Sequence, residues 1–246
     1  MLMLNKNSRQ YGFTLVEMAI VITIMAFMAV GGAMVLSSQY ELKRMSDTEQ
    51  TLRAAKEALI GFAQVHGRLP CPATGTSAGQ EAVGVAGACL TDVDVNGYYG
   101  FLPATTLGLA RGGAAVCGGS GYLADAWAAC VRYAVSRAGS NAATKVNGIR
   151  DHPMTTYSPN LRICRQNSCS DVLSNNLVVV LYSTGRTGLA SPVSGNDQLE
   201  NLDNDRDFVV RELSDAQHSR GEFDDIVEWV PVTTLIPRMV QAGRLP

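Results

Sequence analysis

The sequence predicts an α+β protein in which one long N-terminal helix packs on an antiparallel β-sheet head stapled by disulfides. Helical patterning runs from residue 13 to 67, short β-branched segments separated by turn residues follow, and all six cysteines lie beyond residue 70. The 246 residues are 46% apolar and 17% charged, with a net charge of −2. This composition excludes a disordered tail and gives no electrostatic case for nucleic-acid binding.

The first half of the predicted helix, residues 13–36, is apolar enough to cross a membrane. No charged residue occurs from 18 to 36, and these roughly 19 residues match the length of a transmembrane helix. Glu17 stands at the edge of this stretch, where a carboxylate is costly in a bilayer and usually marks a functional site. Lys6 and Arg9 precede the stretch, so the N-terminus is expected in the cytoplasm and the head across the membrane.

The second half, residues 37–67, is predicted to be an amphipathic scaffold helix. Its apolar face comprises Met45, Thr48, Leu52, Ala55, Leu59 and Phe62, spaced alternately by three and four residues. Gly67 and Pro70 end the pattern. Together the two halves make a helix of about 54 residues, roughly 80 Å long.

Residues 68–246 are predicted to form the globular, β-rich head. Strands are expected at 131–135, 177–183, 207–213 and 225–232, where apolar and β-branched residues lie between turn residues. The segment from 71 to 121 is interpreted mainly as loop, with a turn of helix near 105–110. A short helix interrupted by Pro237 is expected within 231–246.

The cysteines indicate disulfides formed in an oxidising compartment. Six cysteines allow 15 pairings, and the sequential pairing is predicted. These pairs are Cys71–Cys89, Cys117–Cys130 and Cys164–Cys169.

Two acidic clusters are candidate calcium sites, because calcium prefers several hard oxygen ligands and alternate loop positions can converge. Asp92, Asp94 and Asn96 precede Gly97, but Pro103 stands where a calcium loop of this kind carries its closing glutamate. The second cluster comprises Glu200, Asp203, Asp205 and Asp207. In both places the alternative is a set of solvated turn residues.

The segment GFTLVE, Gly12 to Glu17, resembles the prepilin signature of the type IV pilin family. The resemblance implies the type IV pilin fold and cleavage by a prepilin peptidase between Gly12 and Phe13, which removes a leader of residues 1–12. It further implies N-methylation of Phe13. Glu17 would become the fifth mature residue, and its carboxylate would meet the N-terminal amine of a neighbouring pilin or pseudopilin subunit. The small residue Gly12 precedes the apolar run. A secretory signal peptide, by contrast, is cleaved after its apolar run.

A second likeness lies in DAWAACVRY, where Asp125, Trp127 and Tyr133 resemble a stretch of the major pseudopilins of type II secretion. This chain lacks the proline and glycine usual in that stretch. Those pseudopilins bind calcium in a late loop, which supports the second acidic cluster.

The function expected is therefore structural rather than enzymatic, since neither a GxSxG nor a phosphate-loop motif occurs. The expectation is a minor pilin, anchored in the bacterial inner membrane with a periplasmic head and then assembled into a filament. The alternatives are a type II secretion pseudopilin, a filament-displayed adhesin or DNA-uptake module, and a periplasmic enzyme on a plain anchor. The expected partners are prepilin peptidase, other pilin or pseudopilin subunits and the inner membrane, and nucleic acid is not expected. Calcium is the cofactor that the acidic clusters would bind.

Overall fold

The computed structural model describes residues 12–110, 119–152, 157–189 and 195–246, and within its first helix it describes side chains outside 29–38. The chain divides into two compact units, Met1–Lys43 and Arg44–Pro246. Helix α1, Leu15–His66, belongs to both. Gly67 follows it with a φ of +66° and donates its amide to the Ala63 carbonyl, so glycine is needed at this left-handed helix end.

Four of the six residues of the predicted apolar face of α1 are buried, while Met45 is only partly buried. Thr48, Leu52, Ala55 and Leu59 are fully buried, and their spacing of four, three and four residues places them on one side of the helix. Phe62 is only partly buried, and the face continues through Ile60 and Ala63 instead.

The described residues of the head form one sheet of seven strands. The strands are β1 Asp92–Val93, β2 Gly97–Phe101, β3 Arg132–Ser136, β4 Leu161–Cys164, β5 Val172–Ser183, β6 Asp207–Val209 and β7 Ile226–Pro231. Their order in the sheet is β1-β2-β3-β5-β4-β6, with β7 also paired to β5. The later helices are α2 Ala138–Asn141, α3 Gly148–Asp151, α4 Asn196–Glu200 and α5 Val232–Gln241, and short 3₁₀ turns occur at Val85–Gly87 and Thr187–Leu189.

Residues of β5 alternate between two apolar clusters, one on each face of the sheet. Val179 and Leu181 join the cluster that contains Leu52 and Leu59 of α1. Val180 and Tyr182 join the opposite cluster, with Phe208 of β6. The head is therefore an α+β assembly in which the scaffold part of α1 covers one face of a curled sheet.

Several details differ from the sequence prediction. The segment interpreted as loop contains β1 and β2, β4 was not predicted, and residues 105–110 form a turn without helix. The sheet is not wholly antiparallel, because β4 and β6 run parallel. The third predicted strand ends at Val209 rather than at residue 213. The short C-terminal helix is confirmed, with Pro237 inside it.

Candidate assembly site and acidic loop

The residues of the predicted processing site lie at the start of α1. Gly12 and Phe13 precede the helix, and Phe13 is 74% exposed. A Cβ placed on Gly12 would meet no atom within 4 Å. Packing among the described residues therefore does not require a glycine at position 12.

Glu17 lies exposed in the first turn of α1, surrounded by large apolar side chains that the chain does not bury. A contiguous exposed apolar surface of this kind marks a site that meets another protein or a membrane. The exposed members are Phe13, Leu15, Val16, Met18, Ile20, Val21, Ile22, Ile24, Met25, Phe27 and Met28.

The predicted membrane-length stretch reaches into residues 29–36, whose side chains lie outside the described part of the chain. Among the described residues, no helix has the length and apolarity that crossing a membrane requires.

The second acidic cluster forms a loop between α4 and β6. Carboxylate oxygens of Glu200, Asp205 and Asp207 lie within 4.8 Å of one another. Asp203 Oδ1 accepts the Asp205 amide at 3.1 Å, and Asp205 Oδ1 accepts the Asp207 amide at 2.6 Å. The loop backbone thus turns alternate carboxylates toward one another, as the sequence spacing predicts.

Burial, together with the crowding of these carboxylates, disfavours their ionised forms. Burial raises the pKa of Glu200 to about 7, with further contributions from Asp203, Asp205 and Asp207. The pKa values of Asp203 and Asp205 are also raised, again mainly by burial. A bound cation would remove this penalty, because it supplies the opposite charge at the centre of the cluster.

The donor set fits calcium in its chemistry, since all the groups are hard carboxylate oxygens. Asp207 has a second partner, because the Arg162 guanidinium donates to both of its oxygens, from Nε at 2.6 Å and from Nη2. The converging carboxylates of Glu200, Asp205 and Asp207 would therefore hold the ion, with the Asp207 carboxylate shared between the ion and Arg162.

The residues of the first acidic cluster form a turn in which Asp94 accepts several hydrogen bonds. Asp94 Oδ1 accepts the amides of Asn96 and Gly97, both at 2.7 Å, and the Tyr99 hydroxyl at 3.0 Å. Its Oδ2 accepts from the Asn96 side chain. The motif therefore closes the β1–β2 hairpin. The charge of Asp94 contributes to the raised pKa of Asp205, so the fold brings together two clusters that are about a hundred residues apart.

Two of the three predicted disulfide pairs are present, Cys71–Cys89 and Cys164–Cys169. Cys130 is also disulfide-bonded, and its predicted partner, Cys117, lies outside the described residues. The first disulfide closes the loop that follows α1, and the second closes the loop after β4.

Asp125 in the pseudopilin-like stretch has a structural role. Its Oδ1 accepts the amides of Trp127 and Ala129 at 2.8 Å, and its Oδ2 accepts the Ser183 hydroxyl. Asp125 thus ties the turn before β3 to the end of β5.

Sequence reasoning missed a buried polar network behind the acidic loop. Asp225 Oδ2 accepts from the Asn201 side chain at 2.7 Å, while Asn201 Oδ1 accepts the Val209 amide. Asp197 forms an ion pair with Arg211 at 2.7 Å, and both side chains are at least 95% buried. These residues look like ordinary turn residues in sequence, and only the pairing of distant loops reveals their role.

Comparison with known families gives a match at one end of the chain. Residues 7–33 match the family model described as the prokaryotic N-terminal methylation motif. No curated protein and no solved structure matches the chain. The match includes Gly12, Phe13 and Glu17 together with all the exposed apolar side chains from Phe13 to Met28. The chain thus carries at residues 7–33 the prepilin-type signal of type IV pilins and pseudopilins.

Proposed function

We propose that this protein is a minor pilin: a structural subunit that a prepilin peptidase cleaves after Gly12 and that joins a type IV pilus-like filament through α1. The observation that carries the proposal is the methylation motif at residues 7–33, whose described apolar side chains at the start of α1 are exposed. The same α1 continues into a packed, disulfide-bonded head. Such a chain needs an apolar environment for its first part and displays its second part in water.

In this proposal the precursor is held in the inner membrane with a cytoplasmic N-terminus and a periplasmic head. Assembly transfers the apolar part of α1 from lipid to the helices of neighbouring subunits. Each Glu17 carboxylate then pairs with the Phe13 amine of another subunit. The attraction between the two charges strengthens as the dielectric constant falls, so the pair selects one axial position among otherwise uniform apolar contacts.

A second candidate is a pseudopilin of type II secretion. The observation that favours it is the acidic loop, Glu200 to Asp207, which would suit a late calcium loop, together with the Asp125, Trp127 and Tyr133 likeness. The two candidates differ in location. A minor pilin is recovered in filaments sheared from the cell surface, whereas a pseudopilin stays with the cell envelope.

Substitution of Glu17 tests the proposed pairing. Glu17→Gln removes the charge at nearly constant volume, so we expect normal cleavage but a loss of filament incorporation of roughly tenfold or more. Glu57→Gln is the matched control, since Glu57 is an exposed glutamate further along α1, 3.9 Å from Arg238. Immunoblots of sheared filaments quantify incorporation. Wild-type incorporation by the Glu17 variant would contradict the pairing, and absence of the wild-type chain from sheared filaments would favour the pseudopilin.

A further inference from the structure

The first turn of α1 carries a hydrogen-bond pattern that the methylation motif does not describe. The Met18 amide donates to the Thr14 carbonyl at 3.2 Å, and the Glu17 amide donates to the Thr14 hydroxyl, also at 3.2 Å. The helix begins at Leu15. A residue whose carbonyl accepts the first helical bond, and whose side-chain oxygen accepts the amide three residues on, is the N-cap.

Thr14 and Glu17 also have the spacing of a capping box, a threonine followed three residues later by a glutamate. In that motif the glutamate side chain is directed back toward the amide of the N-cap residue. The cap and the assembly carboxylate therefore belong to the same turn of helix.

The exposed apolar surroundings of the first turn of α1 make the Thr14 hydroxyl important. Phe13 and Leu15, the residues on either side of Thr14, are 74% and 90% exposed, so the described part of the chain leaves the helix end largely uncovered. In lipid or among packed apolar helices no water is available for the Glu17 amide, and an unpaired buried N–H is costly. The Thr14 hydroxyl supplies that amide with a partner inside the same chain.

We propose that Thr14 is a positioning residue for assembly: its hydroxyl caps α1 and holds the Phe13 amine and the Glu17 carboxylate in fixed places on the first turn. The inference rests on the proposed function, because cleavage after Gly12 leaves Phe13 as the single residue ahead of the cap. The freed amine is positive and lies at the positive end of the helix, so without the cap the first turn would tend to unwind. A frayed turn would present neither charge at a defined position.

Amide hydrogen exchange tests the cap directly on the full-length chain in detergent micelles. Thr14→Val removes the hydroxyl at similar volume, and we expect exchange at the Glu17 amide to accelerate about fivefold. Thr14→Ser keeps the hydroxyl and should restore slow exchange. Thr23→Val is the control, because the Thr23 hydroxyl donates to the Ala19 carbonyl within the helix and caps nothing. Equal Glu17 exchange in wild type and Thr14→Val would overturn the proposal.

Assembly provides the second readout. We expect Thr14→Val to be incorporated several-fold less into filaments than Thr14→Ser, once each is normalised to its own amount of chain starting at Phe13. Equal normalised incorporation of the two variants would refute the positioning role. If the wild-type chain retained Met1, the proposed function would fail, while the exchange experiment on the uncleaved chain would still decide whether Thr14 caps α1.

Discussion

At the scale of single residues, Glu81 fastens the first disulfide loop to the segment that follows α1. Its two carboxylate oxygens each accept a 2.7 Å hydrogen bond from the Arg68 guanidinium, and Oε2 also accepts the Cys71 amide at 3.1 Å. Both side chains are about 85% buried. Burial alone would raise the pKa of Glu81, but the hydrogen bonds and charge of Arg68 outweigh it and hold that pKa below its usual range.

Glu81→Gln is expected to lower the free energy of unfolding by about 2 kcal/mol at pH 7, the scale of a hydrogen bond to a charged group. Urea unfolding measures the loss. Glu49→Gln is the matched control, because the Glu49–Arg53 pair is exposed and such pairs contribute less than about 1 kcal/mol. Because the pKa of Glu81 is depressed, its stabilisation disappears as pH falls through the folded-state pKa. The unfolding free energies of the wild type and Glu81→Gln should therefore converge in acid. Equal losses in both variants would contradict this account.

Asp225 makes stability depend on pH in the opposite direction to Glu81. Burial raises its pKa from 3.8 to about 7, against the Asn201 hydrogen bond, which lowers it, while Asp224 raises it further. The folded protein therefore binds this proton more tightly than the unfolded chain does. The resulting stabilisation is complete below about pH 4 and is lost as pH rises toward 7, at up to about 1.4 kcal/mol per pH unit.

Asp225→Asn should therefore flatten the decline in stability between pH 5 and pH 8, because asparagine keeps an acceptor for Asn201 and carries no charge. Urea unfolding at the two pH values measures the slope, with Asp92→Asn, at an exposed position in β1, as the control. An unchanged slope in Asp225→Asn would show that this carboxyl does not govern the pH dependence.

At the scale of elements, the sequence predicts best where side-chain periodicity is strong. The buried face of α1 and the core strand β5 follow from regular spacing and β-branched content. Strands β1 and β2 were not predicted because Gly97 and Gly100 favour loops and interrupt the pattern of the strand-favouring Tyr98 and Tyr99, and because the Asp94 turn resembled a metal loop. Strand β4 has four residues, and its parallel partner β6 comes from a distant part of the chain, so local pattern could not reveal the pair.

The acidic loop was found from its spacing, although neither the charge effect of Asp94 on Asp205 nor the network behind the loop could be seen in sequence. If calcium binds there, the folded head should gain about 2.7 kcal/mol at a concentration 100 times the dissociation constant. For a chain of this size that corresponds to a rise in melting temperature of roughly 5–10 °C.

Differential scanning fluorimetry with and without millimolar calcium measures the shift. Asp205→Asn should abolish most of it, whereas Asp215→Asn, in an exposed turn, should not. A melting temperature unaffected by calcium in the wild-type protein would reject the site.

At the scale of the whole molecule, the two compact units of the chain need different surroundings for their apolar side chains. Before Arg44, the described side chains of α1 include many exposed apolar ones, whereas after Lys43 the described apolar side chains form buried clusters on both faces of the sheet. A chain so divided is suited to a subunit that assembles through one end and displays the other. Glu17 would give the apolar end its register, and Thr14 would fix the turn on which that charge lies.

The most direct measurement is the mass of the N-terminal peptide of the mature protein, isolated from cells that contain a prepilin peptidase. The account predicts a chain that begins with N-methylated Phe13, and a Gly12→Ala variant that accumulates uncleaved although its head folds normally. A wild-type chain that still begins at Met1 in those cells would contradict it.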